Sequence, residues 1–310
     1  MMIRFTLLLT ALFLLHSHVF AEKNSESLKL VTVTNNVYAI VGSLGNRSKQ
    51  NLGNNATFGV VVTKEGVVLI DSGATYEGAK KIHQIIKTIT NKPIKFVINS
   101  GGQDHRWLGN DYFKKQGASI IANTNAVKDQ KHRVQDQFFL LGNLLGSKGI
   151  KRTNPVYADK VFDDKYTFSL GDISFNIIHA GHAHTPGDSF IWLPKQGVVF
   201  TGDIVYTQRI LGILAFSNSK TWVKAFEAFA ALKPKHVIPG HGQPTTLSTA
   251  KKDTYDYLVF LRKLLSEYIG VGGGIENVGK LDQQQFSYLK NYESLKGRNA
   301  QQVFQELEFE

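Results

Sequence analysis

Apolar and polar positions along this chain repeat with two periods, one short and one helical. Short apolar runs at 57–63, 67–71, 94–98, 119–122, 166–170, 173–178, 189–193 and 198–203 are bounded by Gly, Pro, Asn or Asp, which predicts strands. Residues 28–42 alternate around Asn35-Asn36, a two-residue hairpin signal. Residues 57–63 and 67–71 form a second hairpin through Lys64-Glu65-Gly66, and 166–170 pairs with 173–178 through Gly171-Asp172. The runs at 189–193 and 198–203 flank a turn at 194–197 and are continuous rather than alternating, as in strands covered on both faces. A last short apolar piece, 235–242, ends in Pro239-Gly-His-Gly242.

Helical spacing appears between these strands. Residues 76–90 place Ile82, Ile85, Ile86 and Ile89 on one face. Residues 112–116 read as a short helix, and Asn123 caps one that runs to about Leu145. Asn218 or Ser219 caps 221–232, which buries Trp222, Ala225, Phe226 and Phe229. A long helix over 246–268 is broken by the glycines at 270–274, and the polar tail 283–310 is helical, packed or loosely ordered. The Gly- and Asn-rich segment 42–56 reads as a mobile loop.

Three strand ends carry polar residues that bind hard or borderline metals: His184, Asp203 and His241. Each stands beside glycines that let a backbone approach closely, so the set reads as a metal site.

His184-Thr-Pro-Gly-Asp188, Thr201-Gly-Asp203 and Pro239-Gly-His-Gly242 resemble the later motifs of the metallo-β-lactamase superfamily, closest to its glyoxalase-II-like branch, over about residues 30–265. The resemblance implies an α/β fold, a four-layer αβ/βα sandwich with its site at one edge between two sheets. It also implies that the loop at 42–56 overhangs the site, that Asp203 is a metal ligand, and that Asp71-Ser-Gly73 supports the ligands from behind. The family's His-x-His-x-Asp-His motif is altered here, at Asn99-Ser-Gly-Gly-Gln-Asp-His-Arg-Trp-Leu-Gly-Asn110. One register puts the early histidines on Gly101 and Gln103; the other puts them on Ser100 and Gly102. In both, the first metal site loses two histidines and His105 falls on a ligand position of the second.

The resemblance therefore implies one ion, held by His105, His184, Asp203 and His241, with zinc the default and iron or manganese suited to the same donors. Asp104 is a candidate to orient water or accept its proton. Arg106 has no lone pair to ligate a metal; it either holds an oxyanion or fills space with a salt bridge. Gln103, His182, Tyr206 and Arg209 are candidates for contact with bound water, metal or substrate.

Composition adds an address. Arg4 precedes an apolar run at 5–15 that is too short to span a bilayer, and Val19-Phe-Ala21 suits cleavage, so 1–21 reads as a secretory signal peptide. A metallo-β-lactamase-like domain at 22–270 and a polar, helical C-terminal extension at 271–310 follow, in an exported, periplasmic protein. The chain has no cysteine, which excludes disulfides and thiolate ligands. Its net charge of +11 is spread without basic blocks, which argues against nucleic-acid binding. The function read from the sequence is metal-dependent hydrolysis of a thioester, lactone, β-lactam or related bond in a small molecule. The alternatives are an accessory or redox-linked periplasmic protein and a non-catalytic binding protein on the same fold.

Overall fold

Alternate side chains of a strand face opposite sides of its sheet, and in this chain both sides are covered. A computed structural model describes residues 28–310; the expected signal peptide lies outside the described residues. Among those residues, β1 (Lys29–Thr34), β2 (Val37–Val41), β3 (Thr57–Val62), β4 (Val67–Ile70), β5 (Ile94–Asn99), β6 (Ser119–Asn123) and β7 (Lys160–Phe162) form a sheet in that spatial order. A second sheet comprises β8 (Lys165–Leu170), β9 (Ile173–Ile178), β10 (Phe190–Leu193), β11 (Val198–Phe200) and β12 (His236–Ile238), ordered β12-β11-β10-β9-β8. The helices are α1 (Tyr76–Ile86), α2 (Asp104–Trp107), α3 (Asn110–Lys115), α4 (Thr124–Ile150), α5 (Ser219–Ala230), α6 (Leu247–Ala250), α7 (Asp256–Gly270) and α8 (Tyr292–Glu308).

The layers follow from the alternation. Val37, Ala39 and Val41 of β2 share one core with Ile191 and Leu193 of β10 and Phe200 of β11, between the sheets. Ile40 of β2 turns the other way, into a core with Ile82 and Ile86 of α1 and Phe113 of α3. Phe190, Val199 and Val237 leave the opposite face of the second sheet and pack on Trp222 and Phe229 of α5 and Leu258 of α7. The result is a four-layer αβ/βα sandwich. Strands β4 and β5 are parallel, as are β11 and β12, so the carboxyl ends of each pair point the same way.

Several elements differ from the sequence expectation. The helix expected at 123–145 reaches Ile150, with Gly146 at φ 75 interrupting its helical backbone. The helix expected at 246–268 is divided by a π-turn at Lys251–Tyr255 between α6 and α7. The segment 42–56, expected as a mobile loop, is held by buried polar contacts. Its asparagines Asn51, Asn54 and Asn55 are buried and bond nearby backbone, replacing the contacts a regular element would make. The polar tail packs Val303, Phe304 and Ala300 of α8 into the same core as α5 and α7.

Candidate functional site

The carboxyl ends of the paired parallel strands bring four segments together. Asp71 follows β4, residues 100–106 follow β5, Asp203 lies in a 3-10 turn (Gly202–Ile204) after β11, and His241 follows β12. Helix α4 holds the second segment in place, since Gln130 and Gln137 donate side-chain hydrogen bonds to the carbonyls of Gly101 (3.3 Å) and Gly102 (2.9 Å). Trp107 anchors α2 behind it, fully buried, stacked on Tyr157 and donating to Gln137 Oε1 at 2.9 Å.

His105, Asp203 and His241 form the one group of potential metal-ligating atoms found among the described residues, all within 4.8 Å of one another and all buried. His105 Nε2 stands 3.3 Å from Asp203 Oδ2, and His241 Nε2 stands 3.2 Å from Oδ1. The backs of the rings are fixed. His241 Nδ1 meets the Asn55 carbonyl at 2.9 Å, and His184 Nδ1 meets the Gly212 carbonyl at 3.0 Å. A carbonyl only accepts, so each of these nitrogens carries the proton. His105 Nδ1 lies 3.1 Å from Asp104 Oδ1. Although burial raises it, Asp104 is held well below the usual carboxylate range by Arg47 and His105, so it too acts as an acceptor. Burial pushes His184 down to about 4 and His241 well below its ordinary value, so both are neutral near pH 7. With their protons on Nδ1, His184 and His241 present lone pairs at Nε2, and His105 Nε2 has no hydrogen-bond partner. The donor set fits a divalent cation.

Arg106 occupies the other side of Asp203. Its Nε and Nη2 donate to the two carboxylate oxygens at 3.0 and 2.6 Å, and Nη1 donates to Asp71 Oδ2 at 2.9 Å. The carbonyls of Gly240 and Thr57, at 3.0 and 3.3 Å, take the remaining donors. All five N–H groups are used and the side chain is fully buried. Of the two roles left open for Arg106, the geometry is that of the salt bridge, and no donor remains for an oxyanion. Burial raises Asp203, but the Arg106 guanidinium above all holds it well below the usual range. Asp71 adopts a left-handed backbone (φ 67) and accepts the backbone N–H and hydroxyl of Ser100 at 2.7 and 2.8 Å.

The positions expected to have lost histidines are filled from behind. A Cβ on Gly101 would stand 2.3 Å from Asp188 Oδ1, and one on Gly102 would stand 2.0 Å from Asp129 Oδ2. Asp129 is itself paired with Arg133.

A cavity of about 550 Å³ opens onto this group and is lined in part by His184, Gln103, Tyr206 and Arg209. Tyr206 stacks on His241 with ring centroids 4.6 Å apart. His182 donates from Nε2 to the Phe216 carbonyl at 2.6 Å and does not join the metal-ligating group. His184 also lies outside that group, although it shares the cavity. Sequence reasoning missed Arg47, which pairs with Asp104, and Arg133, Leu295 and Arg298 in the cavity wall. For Arg47 one signal existed, its place in the loop expected to overhang the site.

A sequence model described as "Metallo-beta-lactamase superfamily" matches residues 53–241. A metallo-β-lactamase type 2 from Elizabethkingia meningoseptica is 26% identical over 216 residues, 67% of this chain and 74% of that protein. Among solved structures, a metallo-β-lactamase from Pontibacter korlensis superposes with a TM-score of 0.59 at 22% identity, over 75% of this chain and 99% of that one. The inverting sec-alkylsulfatase Pisa1 from a Pseudomonas species superposes with a TM-score of 0.69 at 16% identity, over 90% of this chain and 50% of that one.

Proposed function

The chain belongs to the metallo-β-lactamase superfamily, and on that premise we propose that it is an exported hydrolase with one divalent cation, zinc by default, at His105, Asp203 and His241. One observation carries the reading: His105 and His241 turn Nε2 toward the two oxygens of Asp203, the His105 atom has no hydrogen-bond partner, and the His241 and His184 protons are held on Nδ1 by fixed carbonyls. Bare lone pairs beside an anion repel it unless a cation lies between. When bound, such a cation supplies Lewis acidity, acidifying coordinated water and polarising a scissile carbonyl.

The chain's own residues then have distinct roles. Asp104 orients the His105 ring, and the Asn55 carbonyl orients that of His241. Asp203 and Asp104 are both held well below the usual carboxylate range, so neither is tuned to accept a proton near pH 7. Tyr206, stacked on His241, holds that ring from the cavity side. The bond cleaved is a thioester, lactone, β-lactam or related bond. The similarity to a protein named a metallo-β-lactamase supports including β-lactams. Export rests on the charged and apolar pattern of residues 1–21.

A second reading, a non-catalytic or accessory protein on this fold, is favoured by Arg106, which neutralises both oxygens of Asp203 without any metal. Elemental analysis of the purified, chelator-washed chain separates the two. About one tightly held ion per chain supports the hydrolase, and a screen of thioesters, lactones and β-lactams follows. No metal even after reconstitution with zinc, iron or manganese moves the protein to the second reading.

A further inference from the structure

The wall of the cavity is completed from outside the family-matched segment. Leu295 and Arg298 of α8 line it, more than fifty residues beyond the end of the match at 241. The helix is fastened to the site's own floor. Asn299 donates to the Leu211 carbonyl at 2.8 Å and accepts the Ile213 N–H at 2.9 Å. Just before the helix, Lys290 exchanges backbone hydrogen bonds with Gln208 and Ile210, both at 3.0 Å, on either side of Arg209. Asn291 reaches the Leu44 carbonyl at 3.1 Å, in the loop that carries Arg47.

Charge in this cavity is unevenly cancelled. Arg47 is paired with Asp104, and Arg133 with Asp129. Arg209 and Arg298 have no ion pair among the described residues. Arg209 is 8% exposed, makes one hydrogen bond, from Nη1 to the Gly45 carbonyl at 3.3 Å, and leaves its Nε without a partner. Burying an unpaired guanidinium is costly, so an anion is the expected complement. Asp136, the remaining carboxylate in the wall, is exposed on α4. One stretch of the wall is apolar. Leu140 and Leu144, one helical turn apart on α4, stay 42% and 36% exposed, and Leu214 and Leu295 also line the cavity.

We propose that Arg298 and Leu295 of α8, with Arg209, are substrate-specificity residues, and that the substrate is an amphiphilic anion. Its acidic group pairs with these two guanidiniums, which lack an ion pair, and its apolar arm lies along Leu140, Leu144 and Leu214. The C-terminal segment thereby selects the molecule on which the family-matched domain acts. The inference rests on the cavity being the substrate site, but its test needs no turnover.

The test is calorimetric titration of the full chain with octane-1-sulfonate, with octan-1-ol and methanesulfonate as controls and metal content recorded in the same samples. Octane-1-sulfonate should bind at least tenfold tighter than either control. Arg298→Ala, on an exposed helix face, should weaken the sulfonate at least tenfold and leave octanol unchanged, and Arg298→Lys should recover part of the loss. Leu295→Ala should weaken sulfonate and octanol together by a few-fold. Equal binding of sulfonate and octanol, or no effect of Arg298→Ala in a chain whose circular dichroism is unchanged, overturns the proposal. A chain that binds the sulfonate but no metal sinks the hydrolase reading and leaves the recognition of an amphiphilic anion by Arg298, Leu295 and Arg209 standing, with the anion a ligand rather than a substrate.

Discussion

Arg106 holds both carboxylate oxygens of Asp203, at 3.0 and 2.6 Å, with both side chains fully buried. The same guanidinium holds Asp71, so one cation joins the end of β4 to the turn after β11 across the two sheets. The carboxylate that faces two histidines is thus immobilised from behind.

Removing that cation should be expensive. Arg106→Met leaves two buried carboxylates facing each other and should cost about 3–5 kcal/mol, read as a lowered urea midpoint. Arg106→Lys keeps the charge but loses the fork, and should fall between the two. A midpoint for Arg106→Met within error of the parent would sink the linking role.

Asp104 acts through the His105 ring. Asp104→Asn should lower zinc affinity about 10–100-fold by weakening the acceptor behind Nδ1, measured by competition with a chromogenic chelator. His105→Ala should lose the tightly held ion altogether. Unaltered affinity in both variants would remove His105 from the ligand set.

The altered first motif cannot be repaired by one substitution. Gly101→His drives its Cβ to 2.3 Å from Asp188 Oδ1. Overpacking of this kind costs about 1–3 kcal/mol, and the variant should melt lower while binding no additional metal. A second equivalent of zinc in Gly101→His at undiminished stability would show that the space is available.

Asp188 gives stability an unusual pH slope. Burial, reinforced by Asp203, pushes its carboxyl up to about 8, although Thr185 bonds it through both backbone N–H and hydroxyl. Its folded value lies above its unfolded one, so between about 4 and about 8 the folded chain keeps a proton that the unfolded chain releases. Stability from this group is full at acid pH and is lost as pH rises through that window. Asp188→Asn mimics the protonated form. It should flatten the slope and raise the melting temperature at pH 8 by at least about 2–4 °C, the shift that 1 kcal/mol produces in a chain of this size. Parallel pH profiles for the two proteins would refute it.

Much of this protein was legible without coordinates, for reasons of local physics. The continuous apolar runs at 189–193 and 198–203 announce strands covered on both faces, and β10 and β11 do divide their side chains between two cores. Asp203 and His241, each directly after a glycine, do follow the ends of β11 and β12, whereas His184 lies in the loop between β9 and β10 and outside the metal-ligating group. What the sequence left open was which neighbours each charge meets. Whether Arg106 faces substrate or Asp203, whether Gly101 is a gap or is filled by Asp188, and whether the polar tail lies loose or walls the cavity with Arg298 all depend on contacts between segments tens to hundreds of residues apart. Periodicity records which face of an element is buried. It carries no information on the partner that buries it, and at this site the partners decide the chemistry.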